Sequence, residues 1–241
     1  MNSTIIEMRA VTKVYDRKEV LHQIDLKIER GTIYGLLGIN GAGKTTTFKL
    51  LTGLLSPTAG EIRFDGQLIA QRNKVFLRNM GILIETPVFY DHLSAQENLE
   101  LHLEYMGCSR SQVRDTLAAV GLEDTGRQPV SKFSMGMKQR LGIARAISHT
   151  PKILILDEPV NGLDPIGIRQ IRDLLLSLAR NQGMTILISS HILSEVEQVA
   201  GRVGVLVDGT IAQEVSMSEI RETCPDGLED YFLKIMVGGS K

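Results

Sequence analysis

At 241 residues with 43% hydrophobic side chains, the chain is long enough to build one substantial α/β core. Its 27 Lys and Arg are scattered among 28 Asp and Glu, for a net charge of −1; with no basic stripe, direct nucleic-acid binding is not expected. No apolar run approaches the ~20 residues that cross a bilayer, and Met1 to Ala10 lacks the basic-then-apolar order of a signal peptide, so a cytoplasmic chain is expected. Cys108 and Cys224 have neither metal nor redox spacing, and His22, His92, His102 and His149 form no ligand pattern.

Taken in order, Ile5 to Val11 and Leu21 to Ile28 read as strands, and Thr32 to Leu37 as a buried strand. That strand runs into Gly38-Ile39-Asn40-Gly41-Ala42-Gly43-Lys44-Thr45, which fits Gly-x-x-x-x-Gly-Lys-Ser/Thr. Glycines in such a loop let backbone N–H groups curl around phosphate oxygens without side-chain obstruction. The nucleotide contacts expected here are Gly38, Asn40, Gly41, Ala42, Gly43, Lys44, Thr45 and Thr46. Lys44 would reach the β- and γ-phosphates of ATP, and Thr45 would place its hydroxyl on Mg²⁺. The helix opening there, read over Thr46 to Leu51 and closed by Gly53, would aim its positive end at the phosphates.

An Asp65-Gly66 hairpin follows, between Glu61 to Phe64 and Gln67 to Ile69. Ser94-Ala95-Gln96-Glu97 is a capping box that opens a helix to about Met106, ended by Gly107, and a second helix runs from about Ser111 to Gly121. Ser134 is placed to cap a third, from about Met135 to Ser148, so residues 88–149 read as a helical insertion. Strands at Ile153 to Leu156 and Met184 to Ile188 then alternate with helices at Pro165 to Asn181 and Ile192 to Ala200, the rhythm of a parallel sheet with crossovers. A final hairpin through Asp208-Gly209 joins Val203 to Val207 with Thr210 to Val215, and Leu228 to Ile235 has the amphipathic spacing of a core-packed helix. The fold class is α/β, a phosphate-loop NTPase with a parallel core sheet beside an N-terminal antiparallel region.

Asp157-Glu158 ends the wholly apolar strand Ile153 to Leu156. A carboxylate there emerges at the edge of the sheet beside the phosphate loop, where Asp157 can hold Mg²⁺ through its water shell and Glu158 can act as general base on an attacking water.

With Phe133-Ser134-Met135-Gly136 ahead of Asp157-Glu158-Pro159, essentially the whole chain resembles the ATP-binding subunit of an ATP-binding-cassette (ABC) transporter. The resemblance implies the ABC ATPase fold: residues 1–241 as one domain, with 1–87 and 150–215 the catalytic core and antiparallel β subdomain, 88–149 the helical signature subdomain, and 216–241 a C-terminal segment. It implies two ATP molecules buried in a head-to-tail homodimer, the phosphate loop of one copy clamped by Ser134 and Gly136 of the other. By the same resemblance Tyr15 stacks on adenine, His191 senses the γ-phosphate, and Asn161-Gly162-Leu163-Asp164 communicates between the two sites. The usual signature, Leu-Ser-Gly-Gly-Gln, keeps only its serine and second glycine, with Met135 and Met137 intruding.

Where the family normally has a glutamine that reaches Mg²⁺ and links to the membrane partner, this chain has Glu85. Glutamate keeps the reach but adds negative charge and loses an N–H donor. That exchange resembles ATPases of lantibiotic and bacitracin self-protection exporters, which implies a peptide exporter whose permease subunits hold the chain at the inner face of the membrane. Phe89, Tyr90, Leu93 and the helix after Ser94 lie where the family receives its membrane subunit, and internal packing is the equal alternative for them. Alternatives are a cassette for another drug or lipid cargo, or a nonmembrane machine of translation or chromosome maintenance. Neither a second cassette nor a long coiled-coil insertion is present to favour the nonmembrane machine, and a phosphate-loop kinase would leave Ser134 to Gly136 and His191 without a role.

Overall fold

The computed structural model describes residues 3–69 and 75–238, so the last three residues of the expected C-terminal segment lie outside the described residues. The chain opens with a long antiparallel hairpin, β1 (Thr4–Tyr15) and β2 (Lys18–Glu29), which turns through Asp16 and Arg17 at φ 44° and 71°. Two-residue turns with both φ positive usually advertise themselves by a glycine. Here none is present, which is why the sequence marks the two strands but not the tight turn between them.

The core sheet begins with β3 (Ile33–Leu37), followed by α1 (Lys44–Leu51). Next come β4 (Ala59–Phe64) and β5 (Gln67–Leu68), joined through Asp65 and Gly66 at φ 53° and 77°, and then β6 (Met80–Leu83). The helical insertion holds α2 (Ala95–Met106), α3 (Val113–Ala119) and α4 (Met135–Ile147). The predicted capping box is present, with Glu97 N–H donating to Ser94 Oγ at 3.2 Å and Ser94 N–H to Glu97 Oε2 at 2.8 Å. The rest alternates as expected through β7 (Ile153–Asp157), α5 (Pro165–Gln182), β8 (Thr185–Ser190) and α6 (Leu193–Val199), closing with the hairpin of β9 (Arg202–Val207) and β10 (Thr210–Ser216). Two short C-terminal helices follow, α7 (Met217–Thr223) and α8 (Gly227–Gly238).

One four-stranded antiparallel sheet has the order β2-β1-β4-β5, and a six-stranded sheet the order β10-β9-β3-β8-β7-β6, in which only β10 runs antiparallel. Every residue of β3, β7 and β8 is buried, as strands covered on both faces must be. Alternate side chains serve opposite cores. Tyr34, Leu36, Ile153, Ile155 and Leu187 meet Phe48 of α1 and the four-stranded sheet; Ile33, Leu37, Leu154, Leu156, Ile186 and Ile188 meet the helices of the insertion, α5 and α6. Leu228 and Phe232 of α8 complete the second core, so the amphipathic C-terminal segment is core packing, as expected.

Strand β6 and helix α7 were not expected. Met80-Gly81-Ile82-Leu83 is short and carries a glycine, which weakens a strand pattern. The glycine is there because α4 lies against the strand backbone: a Cβ on Gly81 would sit 2.1 Å from the carbonyl oxygen of Ala146 and 2.4 Å from Leu154 Cδ2. Helix α7 opens on a second capping box, Ser216 with Glu219, the same signal that marked α2.

Two histidines tie α2 to this junction. His102 Nε2 lies 3.4 Å from His149 Nδ1, and His149 Nε2 lies 3.0 Å from the carbonyl oxygen of Met80. A carbonyl only accepts, so His149 donates to it from Nε2. Burial drives the His102 pKa from its ordinary 6.5 down to about 4, helped by the positive neighbours His149 and Arg145. Between those pH values the unfolded chain binds a proton at this position that the folded chain refuses, so stability falls as pH drops from 6.5 towards 4. His102→Gln removes that group; its chemical-denaturation midpoint is expected to fall less between pH 7 and pH 5 than that of the wild type. Identical losses in the two proteins would show that His102 does not carry the effect.

Candidate nucleotide-binding site

The loop between β3 and α1 is shaped by its last glycine. Gly43 caps α1 at φ 111°, and a Cβ there would lie 2.5 Å from Leu21 Cδ2, so only glycine satisfies both backbone and packing. The first-turn N–H groups of Lys44, Thr45 and Thr46 have no partners within their own helix and supply the anion-binding end expected from sequence. Lys44 folds back across the loop, its Nζ donating to the carbonyls of Gly38 at 2.6 Å and Ile39 at 3.2 Å. Burial lowers its pKa, while Glu158 and Asp157 oppose the shift. Asn40 and Gly41 face solvent, and Ala42 and Gly43 are buried.

Asp157, at the end of β7, is buried and takes two hydroxyl donors: Thr45 Oγ1 at 2.7 Å from α1 and Ser189 Oγ from β8. Ser189 is the register partner of Asp157 across the parallel strands and also accepts the Glu158 N–H, at 3.1 Å on its hydroxyl and 3.2 Å on its carbonyl. Glu158 adopts φ 50°, a left-handed conformation that is rare and costly outside glycine and recurs at functional sites. Its carboxylate meets His191, with Nδ1 2.8 Å and the backbone N–H 3.3 Å from Oε2. From α4, buried Gln139 donates to the carbonyls of Glu158 and Pro159, both at 3.2 Å. Sequence reasoning missed Ser189 and Gln139; both are polar residues buried within their elements, and nothing local sets them apart from the other polar residues of β8 and α4.

Glu85, two residues past β6, is also left-handed at φ 59° and projects outward, with Oε1 2.5 Å from Lys49 Nζ of α1. Glu85, Asp157 and Glu158 line one cavity of about 450 Å³, together with Thr86, Pro87, Gln139 and Asn161. Among the described residues no three His, Cys, Asp or Glu side chains converge closely enough to hold a metal alone. The hard oxygens that the structure brings together, Thr45 Oγ1 and the Asp157 carboxylate, are of the kind that suits an ion keeping water and phosphate ligands, as Mg²⁺ does, while Glu85 is turned to Lys49.

The remaining predicted residues lie elsewhere. Ser134 caps α4, accepting from the Met137 N–H at 3.1 Å, and Met135 stands exposed beside it. Ser134 and Gly136 share a second cavity of about 560 Å³ with Gly162, Leu163 and Asp164, and Met135 lines both cavities. Asp164 caps α5, accepting from the Gly167 N–H at 3.0 Å, and pairs with Arg140 at 3.5 Å. Tyr15 ends β1 half-exposed, with Lys13 Nζ 4.9 Å from its ring centroid and anchored to the Ser56 carbonyl. On the far side of the insertion, a groove of about 700 Å³ is lined by Val88, Phe89, Tyr90, Leu101, Tyr105 and Arg145. Val88, Tyr90 and Tyr105 are well exposed in it, whereas Phe89 packs on the core under the Arg145 guanidinium and Leu93 is half-buried.

Comparison with known proteins gives the family. A family model described as ABC transporter matches residues 21–161. The bacitracin transport ATP-binding protein BcrA of Bacillus licheniformis is 45% identical over 221 residues, 91% of this chain and 72% of the relative. The lantibiotic transport ATP-binding protein SrtF of Streptococcus pyogenes is 45% identical over 210 residues, 87% of this chain and 90% of the relative. Among solved structures, the dimeric cassette MJ0796 bound to ADP and Pi superposes with a TM-score of 0.82 at 26% identity, covering 88% of this chain and 99% of that one. With its phosphate loop, strand-end carboxylates and inserted helices in place, the chain belongs to the ABC transporter family of ATP-binding subunits.

Proposed function

We propose that this chain is the ATP-hydrolysing subunit of a membrane exporter of antimicrobial peptides, working as a head-to-tail pair beneath permease subunits. The observation that carries the hydrolytic part is the convergence of Lys44, Asp157, Glu158 and His191 at the ends of β3, β7 and β8. The α1 N–H groups and Lys44 hold the β- and γ-phosphates of ATP, and Tyr15 supplies a face for adenine. Thr45, Asp157 and Glu85 would hold Mg²⁺, which when bound neutralises phosphate charge. Glu158, aimed by its left-handed backbone and the Gln139 clamp, accepts a proton from the attacking water. His191, held on the Glu158 carboxylate, is placed to register loss of the γ-phosphate.

Ser134 and Gly136 line a cavity that adjoins that of Asp157 and Glu158 at Met135 but contains neither carboxylate, which supports reading one chain as carrying two half-sites. A second copy would bring its α4 N-terminus and Ser134 to the γ-phosphate, an assembly supported by the dimeric MJ0796 cassette. Among the described residues no helix is long and apolar enough to cross a membrane. The groove of Val88, Tyr90 and Tyr105 supports docking of a permease segment, and the peptide cargo is supported by the likeness to BcrA and SrtF.

Glu158→Gln keeps the shape of the site but removes the proton acceptor, so ATP turnover is expected to fall by roughly 10²- to 10⁴-fold while ATP binding is retained. Unchanged turnover would remove Glu158 from catalysis. For the cargo, deletion of the gene is expected to sensitise its host to a bacitracin- or lantibiotic-class peptide, with rescue by the intact chain and not by Lys44→Ala. No change in sensitivity would overturn the peptide assignment.

A further inference from the structure

Three carboxylates, Glu85, Asp157 and Glu158, open onto one cavity, and each has its own partner. Asp157 takes the hydroxyls of Thr45 and Ser189, Glu158 is held by His191, and Glu85 is paired with Lys49. Helix α1 thus serves the site twice: its first turn supplies Lys44 and Thr45, and five residues beyond Lys44 it presents Lys49. The loop that carries Glu85 is not free to swing at its far end. Pro87 is buried, and the glycine face of α4 is packed so closely on it that a Cβ on Gly142 would lie 3.1 Å from the proline ring.

We infer that Lys49 is the counter-ion that parks Glu85 before the divalent cation is loaded, and that Glu85 exchanges the Lys49 ammonium for Mg²⁺ when the nucleotide arrives. The inference rests on the reading of Glu85 as a metal contact. The physical reason is charge balance: Glu85 adds a third carboxylate to a cavity that holds Asp157 and Glu158 against Lys138 and must first admit a polyphosphate. An ammonium on Glu85 masks that charge towards the incoming anion. The same pairing must be broken before Glu85 can turn to the cation, so Lys49 competes with the metal. Lys49 is therefore a positioning residue, acting on the metal site only through Glu85.

The competition predicts opposite effects of the two partners on metal affinity, measured without turnover. Mn²⁺ binding to the full chain with a nonhydrolysable ATP analogue, followed by electron paramagnetic resonance, reads it directly. Lys49→Gln frees Glu85 and is expected to tighten Mn²⁺ binding about two- to five-fold, the scale of a partly exposed ion pair. Lys49→Arg keeps the charge and is expected to stay within about 1.5-fold of the wild type, on the same scale. Glu85→Gln is expected to weaken binding, and adding Lys49→Gln to it should change nothing further, since the two residues form one unit. Weaker Mn²⁺ binding in Glu85→Gln with no change in Lys49→Gln would overturn the counter-ion role while leaving Glu85 on the metal. A Lys49→Gln effect that persists in the Glu85→Gln background would also overturn it. If Glu85→Gln leaves Mn²⁺ affinity untouched, the metal contact itself is wrong and the inference falls with it. Binding of a fluorescent ATP analogue without divalent cation checks that each variant is folded.

Discussion

A single buried carboxylate holds the site in register. At Asp157 the phosphate-loop helix, the strand that ends in Glu158 and the strand that leads to His191 meet, through the hydroxyls of Thr45 and Ser189. Removing a charge from water costs several kcal/mol unless hydrogen bonds replace its hydration, so α1, β7 and β8 are constrained to lie where those two hydroxyls can reach. The parallel pairing of Asp157 with Ser189 makes this geometry automatic: once the strands align, the hydroxyl faces the carboxylate and also receives the Glu158 N–H. The rest of the site inherits its position from this contact.

Around that anchor, flexibility is removed one group at a time. Glu158 is aimed by a left-handed backbone and held from both sides, by His191 on its carboxylate and by Gln139 on its carbonyl. Gln139 also makes the helical insertion part of the catalytic region, because it sits on the same helix that Ser134 caps. Helix α4 thus touches the Ser134 surface, the backbone of Glu158 and, through the close packing at Gly81, the strand that leads to Glu85. The groove of the proposed permease contact lies on this same insertion, with His102 and His149 bridging α2 to β6.

Much of this was legible in the residues themselves. The phosphate loop, the capping box at Ser94, the Ser134 cap, the β/α alternation after residue 150 and the hairpins at Asp65-Gly66 and Asp208-Gly209 all stand where local chemistry puts them, because each depends on neighbours within a few positions. What escaped depends on distant partners. Strand β6 hides behind a glycine required by the backbone of α4, and the β1–β2 turn uses Asp16 and Arg17 where glycine is the usual mark. Ser189 and Gln139 acquire their meaning only when β8 and α4 are laid beside β7. Lys49 reads as an ordinary helix lysine until Glu85 is seen across from it.

The account stands on the claim that each chain holds two incomplete halves of a site, joined only when a second copy presents Ser134 to the phosphate loop. Sedimentation of the Glu158→Gln chain with and without ATP tests it most directly, because slowed hydrolysis preserves whatever assembly ATP induces. The account predicts a monomer without nucleotide, a dimer with ATP, and a monomer under both conditions once Ser134→Arg is added to crowd the contact. A dimer that forms without regard to ATP, or one that survives Ser134→Arg, would contradict it.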